Sequence, residues 1–283
     1  MYKSLPDLIA NTSELAALPT TTVQLLELLD DSTVEAERVL AVIGKDPALT
    51  SNLLKLCNSA YYGVRRQVGS VKEALVLLGN QTVVTLAFAT SMGDVLRGQL
   101  SAYGLAKEEM WHHALATALG AAYLITYTPA KDYKDRAFTA GLVHDIGKLL
   151  LNGPLTQQLE QLPPQADGVE LLAAERRILG FDHCEAGAAL ADAWNFPPML
   201  TTAVQHHHRL EDATEETELL RAVYAANLIT ISLGLGCSSR SPVPLQEVEE
   251  LTELGITEEA IVHLSSHLAK DLEDLLSLIS EPV

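Results

Sequence analysis

The stretch Gly141-Leu142-Val143-His144-Asp145-Ile146-Gly147-Lys148 places an imidazole and a carboxylate side by side in an otherwise apolar segment. Burying either group without a partner costs roughly several kcal/mol, because the protein interior does not replace the lost water. We therefore expect His144 and Asp145 either to pair with other polar groups or to bind a metal ion. For so short a motif, a His-Asp pair that only joins two helices is the simpler interpretation. The rest of the histidine pattern has to decide between the two.

Seven of the nine histidines fall between residues 112 and 208, on successive predicted helices. Helical proteins build metal sites from one such side chain per helix, and imidazole together with carboxylate suits divalent Fe, Mn, Mg or Zn. Each residue alone also has an ordinary role, as a solvated side chain or a packing contact, so chain order leaves convergence open. The candidate ligands are Glu109, His113, His144, Asp145, His183, His207, His208 and Asn227.

The composition and the spacing of apolar residues predict an all-α fold. Hydrophobic residues make up 48% of the 283 residues, and no alternation with a period of two persists anywhere. A polar, turn-rich segment at 98–107 predicts a boundary between an N-terminal helical subdomain, 1–104, and a second helical part, 105–283. The longer predicted helices are 34–43, 83–96, 108–127, 133–151, 168–179, 184–195, 198–208, 217–233, 245–254 and 257–279.

The charge balance narrows the possible partners. A formal charge of −18 repels phosphate backbones and anionic lipid surfaces, which disfavours general nucleic-acid and membrane binding. A local site for a phosphorylated small molecule stays possible. The three cysteines lack metal-type CxxC spacing, no apolar run approaches about 20 residues, and the N-terminus has no signal-peptide pattern. We therefore expect a soluble, cytoplasmic protein.

Several segments, taken together in order, resemble the HDOD family, the HD-related output domains of bacterial signalling. They span roughly residues 14–235. This resemblance implies an all-α fold in which an N-terminal helical part packs on an HD-domain-like core, and a role in signal transduction or regulation without hydrolase activity. The matching segments are Leu18-Pro19, 45–49, 57–63, 70–74, 77–79, Gly141 to Lys148, Gly180 to Gly187 and 194–197.

The order His113, His144-Asp145, Asn227 also resembles the HD superfamily of metal-dependent phosphohydrolases, including the HD-GYP family, which hydrolyses cyclic di-GMP. In that resemblance the candidate ligands hold the metals, Asp145 bridges them, and Lys148 faces the substrate phosphate. Two departures count against activity. Residues 209–212 lack the Gly-Tyr-Pro signature, and the last aspartate ligand is the neutral Asn227.

Three functions follow as expectations. The first is a largely non-catalytic regulatory module with a His/Asp metal site, which binds a signalling protein or a nucleotide second messenger. The second is a metal-dependent phosphohydrolase that acts on a nucleotide or cyclic dinucleotide, with Asp145 and Lys148 as catalytic residues. The third is a di-iron redox or oxygen sensor, since carboxylate and histidine sites also suit iron. In each case the expected cofactor is a divalent metal, with dinuclear iron as one candidate and Mn, Mg and Zn as alternatives.

Overall fold

The computed structural model describes residues 4–12, 18–31, 33–64, 66–162, 168–213, 217–236, 251–252 and 255–280. These residues form helices and turns with no strand, and the all-α prediction is confirmed. The helices are α1 (Leu5–Asn11), α2 (Thr20–Asp30), α3 (Ala36–Ile43), α4 (Pro47–Cys57), α5 (Val71–Leu78), α6 (Asn80–Leu96), α7 (Glu109–Leu124), α8 (Lys134–Val143), α9 (Gly147–Thr156), α10 (Gly168–Leu179), α11 (His183–Ala193), α12 (Pro198–His206), α13 (Thr217–Ser232) and α14 (Glu258–Ser280).

Several helices begin where the sequence supplies a capping side chain. Asp46 accepts a hydrogen bond from the backbone N–H of Leu49, with a proline at the first helical position. Asp182 accepts from the N–H of Glu185, whose carboxylate accepts in turn from the N–H of Asp182, which completes a capping box. Such caps satisfy N–H groups that have no partner inside the helix.

The chain forms two compact units. The first comprises residues 1–17 and 96–266, and the second comprises 18–95 and 267–283. The units are interleaved in sequence, whereas the predicted division into 1–104 and 105–283 is a single cut. The division of the chain into two domains at residue 104 stays a prediction.

Helix α7 is the centre of the first unit. It is buried along almost its whole length and packs against α8 and α13. Small residues permit this close packing. A Cβ atom on Gly141 of α8 would lie 2.8 Å from the carbonyl oxygen of Thr117, and one on Gly120 would lie 3.0 Å from the Cβ of Ala226 in α13. Leu8 of α1 packs in a cluster of the same unit with Leu150, Leu151 and Leu155.

The second unit has its own core, built from α2 to α6. Leu25, Val39, Ile43 and Leu53 are fully buried there. The Gln81 side chain also donates to the carbonyl oxygen of Leu29, which links α6 to α2.

One predicted helix is wrong in its course. The apolar pattern predicted a continuous helix over 133–151, but α8 ends at Val143 and α9 begins at Gly147. Between them, Ile146 N–H donates to Val143 and Lys148 N–H donates to Asp145, so the hydrogen bonds span three residues instead of four. His144 and Ile146 keep helical dihedral angles in this tight turn. The spacing of apolar residues therefore does not reveal the turn.

The remaining predicted helices agree with the structure to within a few residues at most ends, although the one expected to reach His208 stops at His206. The short acidic helix predicted at 245–254 falls almost wholly outside the described residues. None of the described helices has both the length and the apolar character that a membrane span requires.

Candidate metal centre

Five imidazoles and one carboxylate from four parts of the first unit meet in a buried cluster. Asp145 lies at its centre, in the turn between α8 and α9. Its carboxylate is almost fully buried, as are most of the rings around it. The contributing residues are His113 of α7, His144 and Asp145 of the turn, His183 at the first position of α11, and His207 and His208 directly after α12.

The two oxygens of Asp145 face different imidazoles. Oδ2 lies 3.6 Å from Nε2 of His113 and 3.4 Å from Nε2 of His144. Oδ1 lies 3.5 Å from Nε2 of His183 and 3.4 Å from Nε2 of His207. The carboxylate thus stands between two sets of ring nitrogens, which is the arrangement that a bridging carboxylate would need.

Two groups of potential ligand atoms follow from this division. His113, His144 and Asp145 form the first group, and Asp145, His183, His207 and His208 form the second. Within each group the ligand atoms lie within 4.8 Å of one another. Each group is therefore able to hold one divalent ion.

The opposite ring nitrogens of four histidines have partners that fix the orientation of the rings. Nδ1 of His144 contacts the carbonyl oxygen of Gly141 at 2.7 Å, and Nδ1 of His207 contacts that of Val204 at 2.8 Å. Nδ1 of His113 lies 3.4 Å from the carbonyl oxygen of Leu235. Because a carbonyl oxygen only accepts, each Nδ1 carries the hydrogen and a neutral ring presents its lone pair at Nε2. This is the usual outer contact of metal-binding histidines.

The fourth ring is held by a carboxylate. Nδ1 of His183 lies 2.8 Å from Oε2 of Glu175, a fully buried residue of α10. The same oxygen accepts from the backbone N–H of His183, and Oε1 accepts from the Tyr103 hydroxyl. Glu175 thus fixes both the ring and the start of α11.

Backbone contact between α9 and α11 brings Asp145 to His183. A Cβ atom on Gly147 would lie 1.9 Å from the carbonyl oxygen of His183 and 2.6 Å from the amide nitrogen of Gly187. Only a glycine permits this approach, since the obstacles are backbone atoms. The Gly147 of the opening stretch is therefore as much a part of the site as its histidine and aspartate.

The charges of the cluster differ from one side chain to the next. Burial raises the pKa of the Asp145 carboxyl, but Lys148 and His144 outweigh this and hold that pKa well below its ordinary value. Burial lowers the pKa of His144 well below its ordinary value. At His207 burial also lowers the pKa, but the neighbouring Cys184 sulfur and Asp145 outweigh it and raise the pKa to about 9.

The unpaired atoms of the cluster fit a metal ion. Among the described residues, Nε2 of His144, His183 and His207 and Oδ1 of Asp145 are buried without a hydrogen-bond partner. In folded proteins most buried polar atoms have a hydrogen-bond partner, and these four unpaired atoms lie together in one cluster. Ring nitrogens and a carboxylate oxygen that point at one another from buried positions match the donor set of a divalent metal.

Two predicted ligands lie outside both groups. Glu109, the first residue of α7, points back along the chain. Its carboxylate accepts from the backbone N–H of Ala106, which precedes the helix, at 2.6 Å. Asn227 is buried beside the cluster, and its Oδ1 has no hydrogen-bond partner in the described part of the chain.

Lys148 lies against the cluster. Its Nζ atom donates to Oδ2 of Asp145 at 2.6 Å. It also lines a pocket of ≈ 430 Å³, counting the space open to solvent, together with Tyr103, His208 and Asn227. Leu105, Met110 and Ile231 form the apolar part of the wall.

Sequence reasoning missed Glu175 and Tyr103. Glu175 stands in the run Ala173-Ala174-Glu175-Arg176-Arg177, whose composition is typical of a solvated face. Its spacing does indicate burial. Glu175 lies four residues after Leu171 and three before Ile178, on the buried face of α10.

Comparison with known proteins agrees with this architecture. The HDOD domain matches residues 15–210 of the chain. The chain belongs to the HDOD family. The crystal structure of an HDOD domain protein of unknown function from Geobacter sulfurreducens has a TM-score of 0.75 at 22% identity, with 93% of this chain and 92% of the other covered. That likeness is one of fold.

Two curated relatives have greater length. An uncharacterized protein of Treponema pallidum (strain Nichols) is 26% identical over 225 residues, which are 76% of this chain and 42% of the relative. The cyclic di-GMP phosphodiesterase CdgJ of Vibrio cholerae is 27% identical over 159 residues, which are 53% of this chain and 34% of CdgJ. In each case the match spans less than half of the relative.

Proposed function

We propose that this HDOD chain is a regulatory signalling module whose core is organised by a divalent metal centre. His113, His144 and Asp145 would hold one ion, and Asp145, His183, His207 and His208 the second. The observation that carries this proposal is the division of the Asp145 oxygens between two sets of Nε2 atoms. Five imidazoles and one carboxylate favour iron or zinc over magnesium, which prefers oxygen ligands.

The charge of the loaded centre indicates what it would bind. Two divalent ions with Asp145 as the one carboxylate of the two groups leave an excess of positive charge beside Lys148 and the pocket. In a chain of formal charge −18, this is a local site for an anion. A phosphorylated nucleotide fits that description, since the phosphate meets the cations and the base meets the apolar wall.

The absence of a carboxylate ligand at two expected positions favours binding over turnover. The carboxylate of Glu109 accepts from the N–H of Ala106 instead of facing the cluster, and Asn227 stands where the last aspartate was expected. Catalytic two-metal sites rely on ligands that keep a water or hydroxide ready for attack. Fewer carboxylates leave the ions less neutralised, so a bound phosphate would stay as a ligand.

Hydrolysis of a nucleotide or cyclic dinucleotide is the second candidate function. It is favoured by Lys148, which lines the open pocket beside Asp145, and by the similarity to the phosphodiesterase CdgJ. Divalent ions, when bound, supply positive charge to phosphoryl oxygens and lower the pKa of water. Lys148 would neutralise charge on the phosphate, and Asp145 would fix the positions of the surrounding imidazoles.

One experiment separates the two functions. Protein loaded with Zn²⁺, Mn²⁺ or Fe²⁺ is incubated with cyclic di-GMP and with bis(p-nitrophenyl) phosphate, and an Asp145→Ala variant serves as the control. The regulatory function predicts binding of cyclic di-GMP or another phosphorylated nucleotide in calorimetry without product. If the metal-loaded wild type forms product and the Asp145→Ala variant does not, the regulatory function is wrong and the chain is a hydrolase.

A further inference from the structure

A further buried carboxylate directly precedes one residue of the cluster in sequence. Asp182 immediately precedes His183, and its side chain is fully buried. Its Oδ1 caps α11 through the N–H of Glu185 at 2.9 Å. Its other oxygen, Oδ2, takes no part in the helix cap and faces two arginines.

The first of these arginines joins two ligand-bearing segments. Nη2 of Arg209 lies 3.0 Å from Oδ2 of Asp182, and Arg209 immediately follows His208. The ion pair therefore connects the residue before His183 to the residue after His207-His208. It spans 27 positions of sequence and ties together the two segments that supply every imidazole of the second group of ligand atoms.

The second arginine provides a comparison within the same structure. Nε of Arg176 also lies 3.0 Å from Oδ2 of Asp182, but this side chain is 42% exposed and belongs to α10, which carries none of the imidazoles. It also pairs with Glu185. Arg176 thus shares the carboxylate from α10, not from the segment that bears His207 and His208.

We infer that Asp182 and Arg209 are positioning residues that set the spacing of His183 relative to His207 and His208, and so govern the metal affinity of the second group alone. The first group, His113 and His144 with Asp145, lies on α7 and the α8–α9 turn, away from this ion pair. The inference rests on the proposed metal centre. It also gives a role to Arg209, which stands in the segment where the sequence departs from the Gly-Tyr-Pro signature.

The geometry of the pair explains why its effect would be large. A buried carboxylate with an arginine at hydrogen-bond distance keeps its position because separating the charges exposes each to an uncompensated environment. Metal ligands need to converge to within tenths of an ångström of a common point. Residues outside the ligands that control this convergence change metal affinity by about 10–100-fold.

The test uses the full chain and Zn²⁺ as the probe, with stoichiometry and affinity measured by chelator competition and elemental analysis. Asp182→Asn keeps the Oδ1 cap and removes the charge, and Arg209→Gln removes the other partner. Each variant is expected to keep one Zn²⁺ equivalent at wild-type affinity and to bind the second at least about tenfold more weakly. Arg176→Gln is the matched control and is expected to bind both equivalents as the wild type does.

The double variant adds a second criterion. Because the two residues act as one unit, Asp182→Asn with Arg209→Gln is expected to weaken the second equivalent no more than either single substitution does. Arg209→Gln alters a partly exposed side chain, so it tests the inference even if Asp182→Asn fails to fold.

Several results overturn the inference. They are two wild-type equivalents in Asp182→Asn or Arg209→Gln, equal weakening of both equivalents, or a loss in Arg176→Gln as large as that in Arg209→Gln. In all of these the metal centre itself stands. A wild-type chain that takes up no Zn²⁺, Mn²⁺ or Fe²⁺ removes the metal centre and this inference together.

Discussion

The Nζ atom of Lys148 lies 2.6 Å from Oδ2 of Asp145, the oxygen that also faces His113 and His144. The ammonium group therefore neutralises the buried carboxylate from the side on which the first ion would bind. A divalent ion bound there would compete with the lysine for this oxygen. We therefore expect Lys148 to stabilise the metal-free chain, and we expect metal loading to weaken its contact with Asp145.

Replacement of this lysine is expected to have opposite effects with and without metal. Lys148→Met leaves a buried carboxylate without its cation, so the chelator-treated variant is expected to lose about 1–3 kcal/mol of unfolding free energy. The stabilisation on adding Zn²⁺ is expected to be larger than in the wild type. Urea denaturation with and without Zn²⁺ measures both effects.

Lys131→Met, at an exposed position, is the control for the loss of one positive charge. A Lys148→Met variant that is as stable as the Lys131→Met variant without metal would contradict the ion pair with Asp145.

The contact between α9 and α11 predicts a severe effect of one methyl group. Gly147→Ala would place a Cβ atom 1.9 Å from the carbonyl oxygen of His183. Because backbone has to move, the expected loss of unfolding free energy is about 3 kcal/mol or more, the upper range for overpacking. Urea denaturation of the chelator-treated protein measures it.

The same helix supplies a matched control. A Cβ on Gly153 meets nothing within 4 Å, and an alanine in a helix is favoured over glycine by about 0.5–1 kcal/mol. Gly153 directly precedes Pro154, however, and a Cβ before proline disfavours the helical backbone. Because the two effects oppose each other, Gly153→Ala is expected to change the unfolding free energy by less than about 1 kcal/mol. If both substitutions changed stability alike, the close approach of Gly147 to His183 would be wrong.

Glu175 is expected to control metal affinity without being a ligand. Glu175→Gln keeps the shape of the side chain but weakens the hold on Nδ1 of His183, which releases the ring orientation. We expect Zn²⁺ affinity to fall by about 10–100-fold. Glu170→Gln, on the same helix but exposed, is expected to leave affinity unchanged. Equal affinities in the two variants would remove this role.

Glu175 is also expected to make the stability of the metal-free chain depend on pH in the acidic range. Burial raises the pKa of its carboxyl, but His183 outweighs burial, so that the pKa lies below its ordinary value of 4.5. A carboxyl with a lowered pKa in the folded state contributes stability above its unfolded pKa and loses it as the pH falls through the folded value.

The wild type is therefore expected to lose more unfolding free energy than Glu175→Gln as the pH falls below about 4.5. Urea denaturation at a series of pH values in the presence of chelator measures the difference. Parallel pH profiles of the two proteins would contradict the ionised, His183-bound state of Glu175.

The sequence carried much of the architecture because its signals are local. Asp46 before a proline and the Asp182–Glu185 box fix helix starts within a few residues, and period and cap are properties of neighbouring positions. The turn at His144 was not predicted because its dihedral angles stay helical. Only its hydrogen bonds differ, since they join residues three positions apart instead of four. Periodicity does not distinguish these two states.

The candidate site shows the same limit. The imidazoles that meet at Asp145 were selected from the sequence by residue type and by their order along the chain. Buried imidazoles usually have a polar partner, which made a shared site a reasonable hypothesis. Glu109 stands four residues before His113, but its carboxylate accepts from the backbone N–H of Ala106, a contact that helical spacing does not reveal. Glu175 was missed because its composition is polar, and only its spacing on the apolar stripe marks it as buried.

The most direct test of the account is the metal content of the protein purified without chelators, measured by elemental analysis alongside the His144→Ala/Asp145→Ala double variant. The wild type is expected to retain one or two divalent ions per chain, and the folded double variant essentially none. Equal metal content in the two proteins, or a wild type that neither retains nor takes up any divalent ion, would contradict a metal centre organised around Asp145.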